Sequence, residues 1–234
     1  MTTTLSIDIG GTHIKASVLD ETGSMLVEPV RLPTPHPTDP AGLVAAVQEL
    51  VAPLPRWDRI AAGFPGVVHN GIVRTAHNLG TEAFRGFDLA QALGGALDAP
   101  ARVANDAEVQ GMAAIAGRGV ELVITLGTGF GTALYQDGRG CAHLELAHHE
   151  FHKGRTYEEA LGDQALKHAG KRKWRRRLRR AIRELRALTA FDHLYIGGGN
   201  GRHLKAHKLP PDVSVVANTD GILGGFLLWH DHQP

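Results

Sequence analysis

Three glycine-rich turns, each placed after an apolar stretch, carry the residues best suited to chemistry. The turns combine glycines with hydroxyl, amide and charged side chains. Their residues are Asp8, Gly10, Gly11, Thr12 and Lys15 in the first, Gly127, Thr128 and Gly129 in the second, and Gly198, Gly199 and Asn200 in the third. Glycines let backbone N–H groups converge on phosphate oxygens, and a carboxylate at a strand end can hold Mg²⁺ through water. Each turn alone is typical of a tight hairpin, but three in one chain indicate a phosphate-binding protein.

The elements that position these turns alternate between strand and helix, so the sequence predicts an α/β fold. Apolar strands are predicted at 5–9, 121–126 and 193–196, each directly before a glycine turn. A further strand is predicted at 25–32. Asp39-Pro40 predicts the start of a helix, Asn105-Asp106 that of another through residue 115, and the capping-box spacing at 156–159 that of a third to about residue 168. We expect two α/β domains that close on a cleft, residues 1–104 and 105–234, with the terminal helix packing back on the first.

Composition narrows the class of protein. Hydrophobic residues make up 43% of the 234 residues and charged residues 21%, which is ordinary for a soluble globular protein. The single cysteine, Cys141, excludes an internal disulfide framework and a zinc site built from several thiolates. No window approaches the roughly 18 apolar residues of a membrane span, and Asp8 interrupts the first apolar run. We expect a cytoplasmic protein without a membrane partner or zinc.

Charge is distributed unevenly along the chain. Residues 167–186 contain eleven of the 25 Lys and Arg residues and one acid, Glu184, so this segment carries +10 and the rest −9. Apolar residues at 174, 178, 181, 182, 185 and 188 have the spacing of one helical stripe, with arginines on the opposite face. Such a helix is commonly a solvated charged surface, but ten net charges repel one another unless an anion binds there.

Several motifs together resemble a known family. The segments DIGGTHIK, LGTGFGT and GGGN are similar to the two phosphate motifs and the adenosine motif of the superfamily of sugar kinases, actin and heat-shock ATPases. Within it the chain resembles the ROK kinases, most closely the polyphosphate glucokinases and glucomannokinases. The supporting stretches are RLPTP at 31–35, GFPGVV at 63–68, NDA at 105–107 and ELAH at 145–148. The resemblance implies an actin-like ATPase (ribonuclease H-like) fold with two domains around a cleft.

The resemblance also implies an activity and a set of site residues. Asp106 would be the general base that takes the proton of a sugar 6-hydroxyl, although Asn105-Asp106 could also simply cap a helix. The sugar would contact Gly66, Asn78, Asn105, Asp106, Glu145, His148 and Glu150. The expected cofactors are Mg²⁺, held by Asp8 through water, and polyphosphate and/or ATP as the donor. The family further implies a hexose substrate and a homodimer.

The chain departs from most ROK proteins in two places. It lacks the cysteine-rich zinc loop that follows the Glu-x-Gly-His element, and the polyphosphate glucokinases lack this loop too. In addition, Ala147 replaces the glycine of that element. His148 and His152, four residues apart, could instead suggest a metal site. Only seven residues precede Asp8, so we expect neither the DNA-binding domain of a ROK repressor nor a DNA partner.

The basic helix leads to our donor hypothesis. We expect a group of its cations to guide polyphosphate toward the glycine turns: Lys171, Arg172, Lys173, Arg175, Arg176, Arg179 and Arg180. RNA or an anionic surface is the alternative partner for this helix. Two other functions fit the sequence: a strictly ATP-dependent ROK kinase for another sugar or polyol, and a non-catalytic sugar or polyphosphate sensor with a nucleic-acid-binding helix.

Overall fold

The computed structural model describes residues 2–77, 79–216 and 221–229. It is an α/β protein whose strands form two five-stranded sheets and two small two-stranded sheets. Contacts divide the chain into two compact units, Met1–Ala113 with Asp220–Pro234, and Ala114–Thr219. In the part of the chain that the structure describes, no helix combines the length and the apolar character that a membrane crossing requires.

The elements of the first unit come first along the chain. They are β1 (Thr4–Ile9), β2 (His13–Leu19), β3 (Val30–Pro33), α1 (Pro40–Val51), β4 (Arg59–Phe64), β5 (Val68–His69), β6 (Ile72–Val73), α2 (Thr81–Phe84), α3 (Leu89–Leu97), β7 (Ala101–Asn105) and α4 (Asp106–Met112). The second unit follows with β8 (Val120–Leu126), β9 (Phe130–Gln136), β10 (Arg139–Gly140), β11 (Glu150–His152), β12 (Arg155–Thr156), α5 (Tyr157–Leu161), α6 (Asp163–Thr189), β13 (His193–Gly197) and β14 (Val213–Val215). The last helix, α7 (Gly221–Leu227), belongs to the first unit.

The two large sheets repeat one plan. In the first unit the order is β3-β2-β1-β4-β7, with β1 antiparallel to β2 and parallel to β4, which is parallel to β7. In the second unit the order is β10-β9-β8-β13-β14, with the same antiparallel hairpin followed by parallel neighbours. A glycine turn therefore closes the first hairpin of each unit. The sequence shows no period of 20–50 residues, and the common plan of the two units is seen in their topology.

The sheet of the first unit is covered on both faces, which explains why β1 is apolar almost throughout. Leu5 and Ile7 are fully buried in the main core of this unit. Ser6, on the other face, is also fully buried, and its Oγ donates a hydrogen bond of 2.6 Å to the carbonyl of Ile222 in α7. A side chain at Gly224 would lie 1.7 Å from the Val109 carbonyl oxygen, so glycine is needed for α7 to pack this closely on α4.

The basic segment is helical, as its periodicity predicts. The buried stripe of α6 includes Trp174, Leu178 and Leu185. The Trp174 Nε1 donates a buried hydrogen bond of 2.7 Å to the Leu161 carbonyl at the end of α5. Gly170 interrupts the helical conformation with φ 72° and ψ 157°.

Several element boundaries differ from the sequence predictions. The third strand was expected from 25 to 32 but forms only at Val30–Pro33, because Pro29 has no N–H for the ladder. The helix expected from 156 to 168 is two helices separated at Gly162, whose backbone is extended there. The first compact unit reaches Ala113 rather than the expected 104, because α4 packs on β4, β7 and α7.

Candidate active site

Two acidic residues lie at one edge of the first sheet. Because β1, β4 and β7 are parallel, their carboxyl ends meet at the same edge. Asp8 is aligned with Gly63, which is aligned with Ala104 at the end of β7. Two strand spacings separate the outer strands, about 10 Å. The structure therefore places Asp8 and the start of α4, Asp106, at one edge of one sheet.

The first glycine turn connects β1 to β2 beside Asp8. The Gly10 N–H donates to the His13 carbonyl over 2.9 Å, and the Thr34 hydroxyl donates to the Gly10 carbonyl over 2.7 Å. A side chain at Gly10 would lie 2.9 Å from that His13 oxygen, so the tight turn favours glycine. Gly11 and Thr12 complete the turn, and the Thr12 carbonyl accepts from the Thr34 N–H.

The acid and the cation of this turn face one another. Asp8 and Lys15 are direct cross-strand partners, and the Lys15 Nζ lies 3.8 Å from the Asp8 Oδ2. Asp8 is 15% exposed. Mg²⁺ prefers hard oxygen ligands and keeps several waters, so one carboxylate at an accessible strand end fits it. The 3.8 Å distance between the two side chains places Lys15 beside this carboxylate and the turn.

Asp106 occupies the first turn of α4, directly after a capping box. The Asn105 Oδ1 accepts from the Ala107 N–H over 2.9 Å, while the Glu108 carboxylate accepts from the Asn105 N–H over 3.2 Å. The Asp106 Oδ1 also accepts from the Ala107 N–H, over 2.8 Å. The capping interpretation is thus correct for Asn105, and it leaves the Asp106 carboxylate at the positive end of the helix.

Asn105 also links this helix to the loop after β4. Its Nδ2 donates a buried hydrogen bond of 3.0 Å to the Gly66 carbonyl, and Asn105 itself is 7% exposed. A side chain at Gly66 would lie 2.0 Å from the Thr75 carbonyl oxygen, so this loop requires glycine. Gly66, Asn105 and Asp106 are therefore brought together, whereas Asn78 lies outside the described residues.

The other two glycine turns meet in the second unit. They follow the parallel strands β8 and β13, so they lie at one edge of that sheet. The Asn200 Nδ2 donates to the Gly127 carbonyl over 3.3 Å. Gly198, with φ 81°, places its backbone against Leu126, where a side chain would come within 2.4 Å of the carbonyl oxygen. Gly199 begins a short 3-10 helix.

The second glycine turn also contacts the start of α6. The Asp163 N–H donates to the Gly127 carbonyl over 2.8 Å. A side chain at Gly162 would lie 2.9 Å from the Thr128 carbonyl oxygen, and one at Gly129 would lie 2.4 Å from a Glu158 oxygen. The turn 127–129 is therefore in direct contact with the first residues of α6.

The remaining predicted sugar residues follow β10 in the second unit. Glu145 precedes a 3-10 helix, Leu146–His148, and its Oε2 lies 3.2 Å from the Nε2 of His143. His148 is exposed at the end of that helix. Glu150 accepts from the Gly154 N–H over 3.1 Å and so closes its own hairpin. No group of three or more His, Cys, Asp or Glu residues within the described ranges is arranged to hold a metal ion.

The cations of α6 divide into two groups. Some are tied to the protein: Arg175 donates to the His203 carbonyl, with Nε at 2.8 Å, and Arg180 donates to Glu184 over 2.6 Å. The others form no hydrogen bond or ion pair with any described residue, and they are exposed: Lys171, Arg172, Lys173, Arg176, Arg179 and Arg183.

A basic cavity lies between α6 and the β11–β12 hairpin. Its volume is about 640 Å³, and it is lined by Phe151, His152, Lys153, Arg155, Ala160, Lys173, Arg176, Arg177, Arg179, Arg180 and Arg183. Four of these cations are outside the group that the sequence assigned to polyphosphate: Lys153, Arg155, Arg177 and Arg183. The two hairpin cations, Lys153 and Arg155, lie outside the helical pattern of α6 in the sequence. The fold of β11–β12 brings them alongside the helix.

Two groups in this cavity have a pKa that is lowered, first by burial and then by neighbouring cations. Partial burial, followed by the charges of Arg180 and Lys153, lowers the pKa of His152 from 6.5. Burial, Arg155 and Arg176 likewise lower the pKa of the Arg177 guanidinium. On the core side, burial and the nearby Glu184 carboxylate raise the pKa of Tyr157 to about 12.

Comparison with known proteins agrees with this architecture. Residues 4–149 match the ROK family. The chain is 28% identical over 233 residues to the polyphosphate glucokinase of Mycobacterium tuberculosis (strain CDC 1551 / Oshkosh), an alignment that covers 93% of this chain and 88% of the relative. It is 34% identical over 144 residues to the N-acetylmannosamine kinase of Escherichia coli O157:H7, covering 58% of this chain and 48% of that enzyme.

A solved structure extends the match to the whole fold. The inorganic polyphosphate/ATP-glucomannokinase from Arthrobacter sp. strain KM superposes with a TM-score of 0.86 and 30% identity, covering 97% of this chain and 98% of that one. The fold is therefore the actin-like ATPase fold that the glycine turns indicate. The chain belongs to the ROK family of sugar kinases.

Proposed function

We propose that this protein transfers a phosphoryl group from inorganic polyphosphate and/or ATP to the 6-hydroxyl of glucose or mannose. The observation that carries the proposal is the placement of Asp8 and Asp106 at the carboxyl edge of one parallel sheet. Phosphoryl transfer needs little beyond a metal ligand, a proton acceptor and groups that bind phosphate oxygens. This edge offers both carboxylates next to a glycine turn.

Asp106 would act as the general base. Its carboxylate would accept the proton of the sugar 6-hydroxyl as that oxygen forms a bond to the terminal phosphorus and the bond to the rest of the donor breaks. Asn105 would be a positioning residue, because its amide holds both the helix start and the Gly66 loop. Mg²⁺ beside Asp8 would neutralise charge on the transferred phosphate.

The sugar contacts remain predictions. Glu145, His148, Glu150 and the Gly66 backbone offer the carboxylate, imidazole and amide groups that hydroxyls require, and Asn78 lies outside the described residues. The pairing of Glu145 with His143 supports a role for that carboxylate, since the histidine fixes its orientation. By contrast, Glu150 already binds its own hairpin.

The donor would bind to the glycine turns. Gly127–Gly129 and Gly198–Asn200 touch one another, and turns rich in glycine can offer backbone N–H groups to phosphate oxygens. Polyphosphate is favoured as a donor because two relatives that match nearly the whole chain carry it in their names. The exposed cations of α6 agree with a polyanionic donor.

The decisive assay is hexose phosphorylation by the purified protein with Mg²⁺, using polyphosphate or ATP. Asp106→Asn should lower kcat by about 10²–10⁴-fold, the usual contribution of a general base. Asp88→Asn is the matched control, since Asp88 caps α3 in the same unit by accepting from the Gln91 N–H over 2.9 Å. Equal activity of the Asp106 variant and wild type would refute the assigned base.

The same assay separates the other candidates. Turnover with ATP alone, on an amino sugar, would favour the relationship to N-acetylmannosamine kinase, which covers 58% of this chain. Absence of turnover with glucose, mannose, glucosamine and N-acetylmannosamine would favour a sugar or polyphosphate sensor. Cytoplasmic location and a homodimer stay predictions from the family resemblance.

A further inference from the structure

We propose that the basic cavity between α6 and the β11–β12 hairpin anchors a linear condensed-phosphate chain, and that the track from this cavity leads along α6 to the 127–129 turn. The inference rests on the proposed donor, polyphosphate, and assigns it a second binding site. The cavity has about 640 Å³, within the ordinary range for a ligand site.

The walls of the cavity present positive charge from two separate elements. Eight of its eleven lining residues are Lys or Arg, and none is Asp or Glu. Lys153 and Arg155 come from the hairpin, whereas the other six cations, such as Lys173 and Arg176, come from α6 at spacings of three and four. These spacings place the helix cations on one face.

Within the part of the chain that the structure describes, most of these cations have no hydrogen-bond or ion-pair partner. Arg177 donates to the Ala160 carbonyl over 3.2 Å, and Arg180 binds Glu184. Among the described residues the other six cations form no hydrogen bond or ion pair: Lys153, Arg155, Lys173, Arg176, Arg179 and Arg183. Repulsion among them destabilises the unliganded unit, and a polyanion would remove that repulsion while accepting bidentate hydrogen bonds from the guanidinium groups.

The lining favours condensed phosphate over RNA. Sequence-tolerant binding of single-stranded nucleic acid uses exposed aromatic side chains on which bases stack. The aromatic side chain of this cavity is Phe151, which is 7% exposed and packs on the Tyr157 ring at 5.0 Å between centroids. The lining also contains no Asn, Gln, Asp or Glu that would read a base edge. With eight cations and no exposed aromatic ring for base stacking, the lining is best suited to phosphate oxygens.

A second cavity continues the track toward the glycine turn. It has about 440 Å³ and shares Arg155, Lys173 and Arg177 with the first. Its lining also includes residues from the first turns of α6, Gln164 among them, and one acid, Glu159. Asp163, the residue before Gln164, donates its N–H to the Gly127 carbonyl. A chain seated in both cavities would therefore extend toward the 127–129 turn.

A control variant takes its cations from outside the basic cavity. Lys205 and Lys208 line a different cavity of about 210 Å³, which shares Arg179 with the first, and Arg139 is exposed in β10. The test variant is Arg155→Gln/Arg176→Gln/Arg183→Gln, and the control variant is Arg139→Gln/Lys205→Gln/Lys208→Gln. Each removes three positive charges from the same unit, and neither touches a residue assigned to catalysis.

The first measurement is steady-state kinetics with long-chain polyphosphate, tripolyphosphate and ATP. In the test variant the KM for long-chain polyphosphate should rise roughly tenfold or more, while kcat and the KM for hexose, tripolyphosphate and ATP change less than about twofold. The dependence of log KM on log salt should flatten by about two units, since about 0.7 is lost per phosphate contact. An unchanged KM for the long chain, or an equal rise in the control variant, would overturn the cavity assignment.

The second measurement is direct binding of long-chain polyphosphate to the unliganded protein, by calorimetry and by the shift in Tm. Binding should be lost in the test variant, whose own Tm without polyphosphate should equal or exceed that of wild type because repulsion is relieved. Cavity-dependent binding without any turnover would support the anchor and refute the donor role. Tighter binding of single-stranded RNA than of polyphosphate at equal phosphate concentration would refute the ligand class.

Discussion

Replacing Asn105 tests whether the position of Asp106 depends on its neighbour. The Asn105 side chain makes two hydrogen bonds: it accepts from the Ala107 N–H and donates to the Gly66 carbonyl. Asn105→Ser keeps a hydroxyl that can cap the helix but removes the donor to Gly66. Asn105→Ala removes both, so the pair of variants separates the cap from the link.

The magnitudes follow from these two contacts. Loss of a helix cap costs about 1 kcal/mol of stability. An unpaired buried carbonyl, here that of Gly66, costs about 1–3 kcal/mol. We therefore expect the free energy of unfolding to fall by about 1–3 kcal/mol in Asn105→Ser and by about 2–4 kcal/mol in Asn105→Ala. A displaced Asp106 should also lower kcat in both variants, by about 10²-fold for a shift of 1 Å.

Urea denaturation and hexose phosphorylation measure the two effects on the same preparations. Asp88→Ala is the control, because it removes an equivalent cap from α3 without a link to the Gly66 loop. It should lose about 1 kcal/mol of stability and keep its kcat. If Asn105→Ser retains both the stability and the kcat of wild type, the link to Gly66 does not position Asp106.

Two other predictions concern the second unit. Gly198→Ala should lower the free energy of unfolding by about 1–3 kcal/mol or more and weaken donor binding, because φ is 81° and the new methyl would meet the Leu126 backbone. The control Gly199→Ala places its methyl in open space and should stay near wild type. A wild-type urea midpoint for Gly198→Ala would contradict this prediction. Burial, Arg180 and Lys153 lower the pKa of His152 from 6.5, against weaker opposing effects of Glu184 and Glu150. The unfolded chain therefore binds more protons at this ring than the folded protein does. The free energy of unfolding should consequently fall as the pH drops below about 6.5. Polyphosphate should raise this pKa and bind more tightly as the pH falls through the same range, which NMR titration of the His152 ring can follow. An unchanged or lower pKa with polyphosphate present would contradict polyphosphate binding beside His152.

The features that sequence predicted well are local in the chain. The Asp39 cap of α1 accepts from the Gly42 N–H over 2.7 Å, three residues away. The capping box of α4 joins Asn105 with Glu108, also three residues away. Cap motifs and glycine turns depend on neighbours within a few residues, so they can be recognised in the sequence before the fold is known.

The features that sequence missed depend on packing between distant segments. Glu121 is 1% exposed and accepts N–H bonds from Ala116, Gly117 and Arg118, which fixes the chain after α4 in a non-helical path. The predicted helix through residue 115 consequently ends at Met112. Gly162 likewise divides a predicted helix because the Thr128 carbonyl oxygen approaches it.

The structure also argues against a purely solvated role for the basic face of α6. A solvated helix of this length would ordinarily place acids three or four residues from its cations, as Arg180 and Glu184 are placed. Arg176, Arg179 and Arg183 have no such partner among the described residues, although one turn away the same helix uses Arg186 to bind Asp212. Within the described residues, Arg176, Arg179 and Arg183 thus line the hairpin cavity without a partner, although Arg180 in the same lining is paired with Glu184. That pattern is expected where an external polyanion supplies the missing negative charge.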